Sequence, residues 1–219
     1  MNFAPSADRN KDPIREVLAH HPPYSTTHKN GKVLEIASGT GQHVAFFGAN
    51  FPHLTFQPSE YGGGSAGPEA PAYGNLDPVF ASIKAHVEHG SLGNVLDPIE
   101  LDCSQAAWPV EPELFDGVYV CNVTHISPFE VTEGLLAGAG RVLSPGGTLC
   151  IYGPFKVDNK QTAPSNEAFD ERLRSQNEAW GIRCSDAVAK LATKSGLQLV
   201  ERAPMPANNF VLVFEKRAT

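Results

Sequence analysis

The sequence contains few cysteines, and they follow no pattern that would bind a metal or build a disulfide framework. Four cysteines are spread over 219 residues, and no two form a C-x-x-C pair, so neither a zinc site nor a set of disulfides is expected. Two of them lie within apolar, strand-like runs, where a reduced cysteine packs as a small hydrophobic side chain. We therefore predict no metal site. The four are Cys103, Cys121, Cys150 and Cys184.

Long apolar runs and clusters of basic residues are also missing. No apolar stretch approaches the roughly 18 residues of a membrane-spanning helix, and the first residues lack the apolar core of a signal peptide. These absences favour a cytoplasmic protein without membrane contact. The chain has 17 basic and 24 acidic residues, a net charge of −7, so a nucleic acid is not an expected partner. A small-molecule substrate is expected instead, and the oligomeric state stays open.

Length and composition indicate one globular domain. A chain of 219 residues with 41% hydrophobic and 19% charged residues can bury a sizeable core, and its composition is ordinary for a globular protein. Strand-like and helix-like patterns alternate along the chain, which is typical of the α/β class. With no internal repeat, we expect a single domain over residues 1–219.

The most informative stretch covers residues 32–43, K-V-L-E-I-A-S-G-T-G-Q-H. An apolar strand pattern is broken by two glycines, and an amphipathic helix pattern follows directly. A strand, a glycine turn and a helix N-terminus form a binding site for nucleotide-like ligands in α/β proteins. The reason is that glycine lets a ligand approach the backbone closely, while the first helical turn offers free N–H groups.

The details of this turn distinguish between cofactors. A dinucleotide-binding turn has a third glycine where this chain has Val44, and a P-loop has lysine and serine or threonine where residues 42–43 are glutamine and histidine. Glu35 instead lies at the end of the strand. The pattern E-x-A-x-G-x-G resembles the first motif of class I S-adenosylmethionine (SAM) methyltransferases, D/E-x-G-x-G-x-G, with Ala37 in place of the first glycine. An acid here suits SAM, which carries a sulfonium and an ammonium.

Acidic residues end the next two predicted strands. Glu60 ends the second, where NAD folds and SAM folds keep an acid that accepts both ribose hydroxyls. Asp102 and Cys103 follow the third strand, predicted over residues 95–101. At that place an acid can accept the adenine amino group, and a backbone N–H can meet a ring nitrogen. We therefore expect the ribose and adenine of the cofactor along these strand ends.

The fourth strand, predicted over residues 115–121, leads to the candidate catalytic residues. Asn122 and His125 follow it, and ligands of open α/β sheets bind outside the carboxyl ends of the strands. His125 is the best candidate for a general base, because imidazole titrates near neutral pH and turnover would then rise with pH through its pKa. The alternative is a buried histidine that is hydrogen-bonded to the backbone. Tyr152 and Tyr24 are weaker candidates.

Two segments are candidates for movable covers. Residues 1–12 are polar and irregular, and a helix is predicted to begin at Pro13. Residues 1–30 thus form either a solvated tail or an N-terminal lid over the cofactor pocket. Residues 61–75 form a loop rich in glycine, proline and alanine, which is either a flap beside the cofactor or a mobile insertion.

Over nearly its whole length the chain resembles the class I SAM-dependent methyltransferases. The glycine turn, the ribose acid, the adenine acid, an F-D-x-V strand and a P-G-G reversal occur in the order of that family. Three more stretches, S-A-D-R-N-K-D-P-I, Y-G-P-F through W-G-I-R, and M-P-A-N-N-F-V-L-V-F, narrow the resemblance to a small methyltransferase-like family long filed as a domain of unknown function. The resemblance implies a Rossmann-like sheet of seven mostly parallel strands with helices on both faces and an antiparallel last strand. It also implies SAM as the cofactor.

The resemblance assigns cofactor contacts one residue at a time. The implied contacts are Glu35, Ala37, Gly39 and Gly41 at the methionine-side turn, Glu60 at the ribose, Asp102 and Cys103 at the adenine, Asn122 after the fourth strand, and Arg9 and Asn10 at the methionine carboxylate. Other positions match the family pattern without a derivable role: Asn166, Phe169, Asp170, Arg174, Trp180, Asn208 and Asn209. The chain departs from the pattern at Cys184, where an aspartate is expected, and in the long loop over residues 61–75.

These residues predict a SAM-dependent methyl transfer to a small-molecule acceptor at a nitrogen, oxygen or sulfur atom. Such an in-line displacement depends mainly on holding the acceptor close, aligned and shielded from water. A SAM-binding module without catalysis is the first alternative, since the cofactor motifs are clearer than the catalytic ones. An NAD-dependent oxidoreductase is a weaker alternative, because Val44 and Glu35 do not fit its turn.

Overall fold

The computed structural model describes residues 1–28, 30–63 and 75–217. Most of the loop predicted over residues 61–75 lies outside these described residues. The helices are α1 (Pro5–Leu18), α2 (Gln42–Asn50), α3 (Asp77–His89), α4 (Phe129–Val142), α5 (Pro164–Gln176) and α6 (Ser185–Ala192). The strands are β1 (Gly31–Ile36), β2 (Leu54–Glu60), β3 (Ile99–Glu100), β4 (Phe115–Cys121), β5 (Leu143–Gly153), β6 (Phe155–Lys156), β7 (Arg183–Cys184), β8 (Leu197–Met205) and β9 (Asn209–Lys216).

Seven strands form one sheet in the order β3-β2-β1-β4-β5-β9-β8, and β6 pairs with β7 separately. β9 runs antiparallel to both β5 and β8, while the other neighbours in the large sheet are parallel. This confirms the predicted Rossmann-like sheet with its antiparallel last strand. The chain moves outward from β1 to β3 and then returns to β4 on the other side of β1. A crevice for a ligand is therefore expected beyond the carboxyl ends of β1 and β4.

Apolar side chains alternate between the two faces of the sheet and build one core on each. Val33 of β1 packs with buried residues of α1, α2 and α3, whereas Leu34 and Ile36 pack with those of α4 and α6. Successive side chains of a strand point to opposite faces, so a strand covered on both faces is apolar at almost every position. This explains why residues 33–36 of β1 are buried and, apart from Glu35, apolar.

The N-terminal helix begins earlier than predicted. α1 begins at Pro5, with Pro13 inside it, so the prediction of irregular structure up to residue 12 is wrong. Pro5 suits the first turn of a helix, where no backbone N–H is needed. Ala7, Ile14 and Leu18 are buried on one side of this helix. That packing stabilises the helix and outweighs the local cost of Pro13.

The predicted third strand also has different bounds, and the P-G-G reversal lies inside a strand. β3 has only two residues, and Val95 is joined to Phe56 by an isolated bridge. Pro98 lies between them and has no N–H to donate, which interrupts the strand predicted over residues 95–101. β5 begins at Leu143, before the P-G-G reversal, and the register shifts across residues 144–147. The reversal thus forms an irregularity within the strand.

No helix within the described ranges is both long and apolar enough to cross a bilayer. Those ranges also contain no group of three or more His, Cys, Asp or Glu side chains placed to hold a metal ion. All four cysteines are free thiols.

Candidate functional site

The predicted cofactor residues converge at one edge of the sheet. Glu35 is next to the last residue of β1, Glu60 is the last residue of β2, and Asn122 directly follows β4. Glu35 is level with Pro58 of β2 and with Tyr119 of β4 in the ladder. Since these three strands are parallel neighbours, their carboxyl ends form one continuous rim, and the crevice lies outside it.

The turn between β1 and α2 has the conformation that its glycines allow. Gly39 and Gly41 have φ angles of 55° and 89°, and Ala37 shares this left-handed conformation at 56°. A Cβ at Gly41 would lie 2.6 Å from the Cα of Ile83 in α3, so only glycine fits there. By contrast, no atom of the described residues lies within 4 Å of a Cβ at Gly39. The outer side of the turn is therefore open to a ligand.

Glu60 connects the end of β2 to this turn. Its carboxylate accepts hydrogen bonds from the backbone N–H groups of Gly39, at 2.7 Å, and Tyr61, at 2.9 Å. Burial raises the pKa of Glu60, and these two hydrogen bonds oppose the rise. The side chain remains partly exposed beside the open turn. Glu60 is thus fixed in place where a ligand at the turn would meet it.

Glu35 is a buried acid, and one of its carboxyl oxygens has no hydrogen-bond partner among the described residues. Its side chain is 3% exposed, and within the described part of the chain its Oε2 atom accepts no hydrogen bond. Burial raises the pKa of Glu35 to about 8, with a hydrogen bond from Ser38 opposing the shift and the charge of Glu60 adding to it. A buried acid without a cation is costly to ionise. Glu35 therefore carries a proton near neutral pH and would lose that proton when a positive charge binds nearby.

Asp102 and Cys103 lie just beyond β3, at the far end of the rim. The Asp102 carboxylate accepts hydrogen bonds from the Ser104 backbone at 2.9 Å, the Ser104 hydroxyl at 2.7 Å and the Gln105 amide at 3.2 Å. Cys103 is buried, and burial raises the pKa of its thiol to about 12. Both residues are in the region assigned to adenine, and their contacts with a cofactor stay a prediction.

Helix α1 brings Arg9 and Asn10 to the same rim. The Asn10 side chain lies 2.7 Å from Nε2 of His43 in α2 and donates to Sγ of Cys121 at the end of β4, at 3.9 Å. Arg9 is close enough to Tyr152 of β5 to lower its pKa electrostatically. The predicted N-terminal residues are thus beside the cofactor rim, although their role there stays a prediction.

A cavity of about 470 Å³ lies beside the carboxyl ends of β4 and β5. His125 lies on its wall and is 4% exposed. The Nδ1 atom of this histidine has no hydrogen-bond partner among the residues that the structure describes. Burial, with a contribution from the charge of Arg183, lowers the pKa of His125 to about 4. The cavity is lined by Asn122, His125, Pro154, Ser165, Asn166, Phe169, Arg172, Ala207, Asn208 and Asn209.

The tyrosine candidates differ in position. Tyr152 is buried near the end of β5, and burial raises the pKa of its phenol, while hydrogen bonds from Asn10 and Asn209 lower it. It is therefore neutral near physiological pH and lies close to the cavity wall. The Tyr24 hydroxyl lies beside Gly117, near the start of β4, so it does not reach the rim.

The segment W-G-I-R holds the loop that carries His125, a role that the sequence did not reveal. The backbone N–H of Gly181 donates to the carbonyl of His125 at 3.0 Å. Arg183 donates to the carbonyls of Thr124, Ser127 and Ala179 at 3.0, 2.7 and 2.8 Å. The match of W-G-I-R to the family pattern was the signal that the sequence offered, and no periodicity relates two segments so far apart in the chain.

Other family-pattern residues position the remaining cavity walls. Asn166 of α5 donates to the carbonyl of Asn208 at 3.0 Å, which joins α5 to the turn between β8 and β9. Asp170 is salt-bridged to Lys156 at 2.7 Å and accepts the N–H of Ile182 at 2.7 Å. These polar contacts fix α5 over the cavity.

Solved methyltransferase structures match this chain along its length at low identity. An O-methyltransferase family protein from Burkholderia thailandensis is 17% identical with a TM-score of 0.72, over 98% of this chain and 58% of its own. An O-methyltransferase family 2 protein from Planctomyces limnophilus, in complex with apigenin, is 15% identical with a TM-score of 0.75, over 96% and 60%. A methyltransferase of calicheamicin biosynthesis, in its SAH-bound form, is 17% identical with a TM-score of 0.65, over 97% and 54%. The chain spans less than two thirds of each of these proteins, and the likeness establishes the fold.

The sequence itself matches a family model over residues 1–216, and that family is described as a protein of unknown function, DUF938. The match covers nearly the whole chain, in agreement with the resemblance found from its motifs. The sheet order and the glycine turn agree with the fold of the methyltransferase structures. The chain therefore belongs to the DUF938 family, and it has the fold of the class I methyltransferases.

Proposed function

We propose that this protein is an enzyme that transfers a methyl group from SAM to a small-molecule acceptor. The observation that carries the proposal is Glu35, a buried acid with one oxygen that has no hydrogen-bond partner among the described residues. The glycine turn that follows it has open space beside Gly39 in the same part of the chain. A cationic ligand at this turn would compensate the buried carboxylate, which neutral or anionic ligands would not. The likeness in fold to methyltransferases supports the same proposal.

The residues at the rim fit the parts of SAM. Glu35 and the turn at Gly39 would hold the methionine portion, Glu60 the ribose hydroxyls, and Asp102 with Cys103 the adenine. Arg9 and Asn10 would lie at the methionine carboxylate, so we propose that α1 acts as the lid over this pocket. When bound, SAM supplies an activated methyl group, which a nucleophilic atom of the acceptor takes as the carbon–sulfur bond breaks and its electron pair remains on sulfur.

The cavity around His125 would hold the acceptor. Its walls orient the nucleophilic atom and keep water away, which supplies much of the rate of an in-line displacement. His125 is on the cavity wall and is neutral near physiological pH, so its imidazole can accept a proton that the acceptor loses. Tyr152 would act by packing and hydrogen bonding, because its phenol holds its proton.

Several wider proposals accompany this function. We propose one catalytic domain over residues 1–219, working in the cytoplasm on a small molecule and not on nucleic acid. The negative net charge of −7 supports the last point, because nucleic-acid-binding surfaces are basic.

Calorimetric titration with SAM and with NAD tests the cofactor, and release of S-adenosylhomocysteine from a panel of small acceptors tests the activity. Binding of SAM without turnover of any acceptor would favour the binding-module alternative. Binding of NAD in place of SAM would favour the oxidoreductase and refute the proposal. Because Val44 occupies the position of the third glycine of a dinucleotide-binding turn, we expect the protein to bind SAM and not NAD.

Glu60→Ala should weaken SAM binding by about 1–3 kcal/mol, the usual cost of leaving buried polar partners unpaired. Glu60→Asp should cost less, because it keeps the carboxylate. The N–H of Gly39 also loses its acceptor in the alanine variant, so the thermal midpoint of the free protein should be measured alongside. Equal SAM affinity in Glu60→Ala and the wild type would remove the ribose assignment.

Arg183→Ala should lower turnover about tenfold while leaving SAM affinity nearly unchanged, because three carbonyls around His125 lose their donor. The free energy of unfolding, from urea titration, should fall by about 1–3 kcal/mol. Arg217→Ala is a matched control, since its guanidinium bonds only to Gln198 among the described residues. Unchanged turnover in Arg183→Ala would show that the loop after β4 holds its shape without this arginine.

A further inference from the structure

Arg172 lines the cavity proposed for the acceptor, and its positive charge forms no ion pair with another described residue. Arg172 lies on α5 at the cavity, with its guanidinium carbon 5.3 Å from the ring centre of Phe169. None of the ion pairs formed by the described residues includes Arg172. Its neighbour Arg174, by contrast, shares Asp170 with Lys156. The charge of Arg172 is therefore available to a ligand.

The described residues that line the cavity include no carboxylate that could pair with this guanidinium. The lining residues are four asparagines, a serine, a histidine and apolar side chains besides Arg172, with no aspartate or glutamate among them. In a protein of net charge −7, the exposed guanidinium of Arg172 thus lies at a cavity whose described lining has no carboxylate. Such a site attracts a small anion and disfavours a cation.

Phe169 connects Arg172 with the candidate base. Its ring lies 5.5 Å from the ring of His125, in an edge-to-face arrangement, and under the guanidinium of Arg172. A ligand that touches this aromatic surface therefore meets the histidine on one side and the arginine on the other. A guanidinium also matches the planar fork of a carboxylate, with two parallel hydrogen bonds.

Resting on the proposed methyl transfer, we propose that the acceptor is a small aromatic acid with a nucleophilic hydroxyl group. Its carboxylate pairs with Arg172, its ring packs against Phe169, and its hydroxyl group lies towards His125. The hydroxyl oxygen forms the new bond to the methyl carbon as the carbon–sulfur bond of SAM breaks and its electron pair stays on sulfur. The hydroxyl proton passes to His125, and the carboxylate is unchanged. Arg172 is then a residue that determines specificity, outside the cofactor rim.

The test uses 2-, 3- and 4-hydroxybenzoate, each paired with its neutral primary amide, in calorimetric titrations of the full chain with S-adenosylhomocysteine present. For the wild type, at least one acid should bind about tenfold more tightly than its amide, in keeping with a charge-assisted pair at a partly exposed site. Arg172→Gln should abolish this preference, and Arg172→Lys should keep part of it. Lys194→Gln removes one positive charge outside the cavity and should leave the preference intact.

The outcomes separate this inference from the function on which it rests. SAM affinity is measured for the same proteins and should be equal in the wild type and Arg172→Gln. A wild type that binds SAM but prefers none of the acids to its amide overturns the inference alone. An acid preference that persists in Arg172→Gln also overturns it. A wild type that does not bind SAM refutes the proposed function instead.

Discussion

His125→Ala is expected to lower turnover by about 10²–10⁴-fold at saturating SAM, the range for one positioned acid–base group. The imidazole is on the cavity wall, and its Nδ1 has no partner in the described part of the chain. SAM affinity should be nearly unchanged, because the residues proposed to hold the cofactor do not include His125. The measurement is the rate of S-adenosylhomocysteine release beside a calorimetric SAM titration.

The dependence on pH differs from the one that the sequence predicts. Because burial lowers the pKa of His125 to about 4, the free imidazole is already neutral at about pH 6–8, so its titration cannot limit the rate there. The rate should fall only as the pH drops towards about 4. His125→Asn keeps a polar side chain of similar shape and separates proton transfer from packing. Lost SAM affinity would identify His125 as a packing residue, and a full-rate variant would mean that positioning alone drives the transfer.

Glu35→Gln is expected to weaken SAM binding by about 2–4 kcal/mol, the size of an attraction between opposite charges in a partly screened interior. The amide is nearly the same shape, so the loss reports the charge. The wild type should bind SAM more tightly as the pH rises towards 8, because burial holds the pKa of Glu35 at about 8 and the carboxylate must first lose its proton. Calorimetry in buffers of different ionisation enthalpy should detect a proton released by the wild type beyond that released by the variant.

The same substitution should stabilise the free protein. The pKa of Glu35 rises on folding from 4.5 to about 8, so the folded state holds a proton that the unfolded chain loses across that interval. Its contribution to stability is thus complete below the lower value and is lost as the pH rises to the upper one. Urea titrations should show Glu35→Gln gaining stability relative to wild type between those values. Equal SAM affinity for both proteins at high pH would remove the cationic-ligand assignment.

The convergence of the proposed cofactor residues on one rim could be predicted because its determinants are local. A strand, a glycine turn and an acid at a strand end are short sequence patterns, and parallel strands bring their ends together. The structure accordingly has Glu35, Gly39, Glu60 and Asn122 along one rim. Helix bounds were less predictable: α1 begins at Pro5 because packing of Ile14 and Leu18 outweighs the local preference at Pro13.

The cavity proposed for the acceptor could not be predicted in the same way, because its walls are formed by contacts between segments that are distant in the sequence. Asn166 meets Asn208, and Arg183 meets the loop at Thr124. Nothing in either segment alone encodes these pairs. Burial was equally invisible in the sequence, so the low pKa of His125 and the high pKa of Glu35 emerged only from the packed structure.

The position of β9 between β5 and β8 has a consequence for how the protein is made on the ribosome. Among the described strands, β8 pairs only with β9, so it cannot join the sheet until β9 has left the exit tunnel. The turn that joins β8 to β9 also supplies Asn208 and Asn209 to the acceptor cavity. The strands that carry the cofactor rim are synthesised earlier and can pair while translation continues. Under the proposed function, a nascent chain would thus acquire a place for SAM before it acquires a place for the acceptor, and methylation would begin only after β9 has been synthesised.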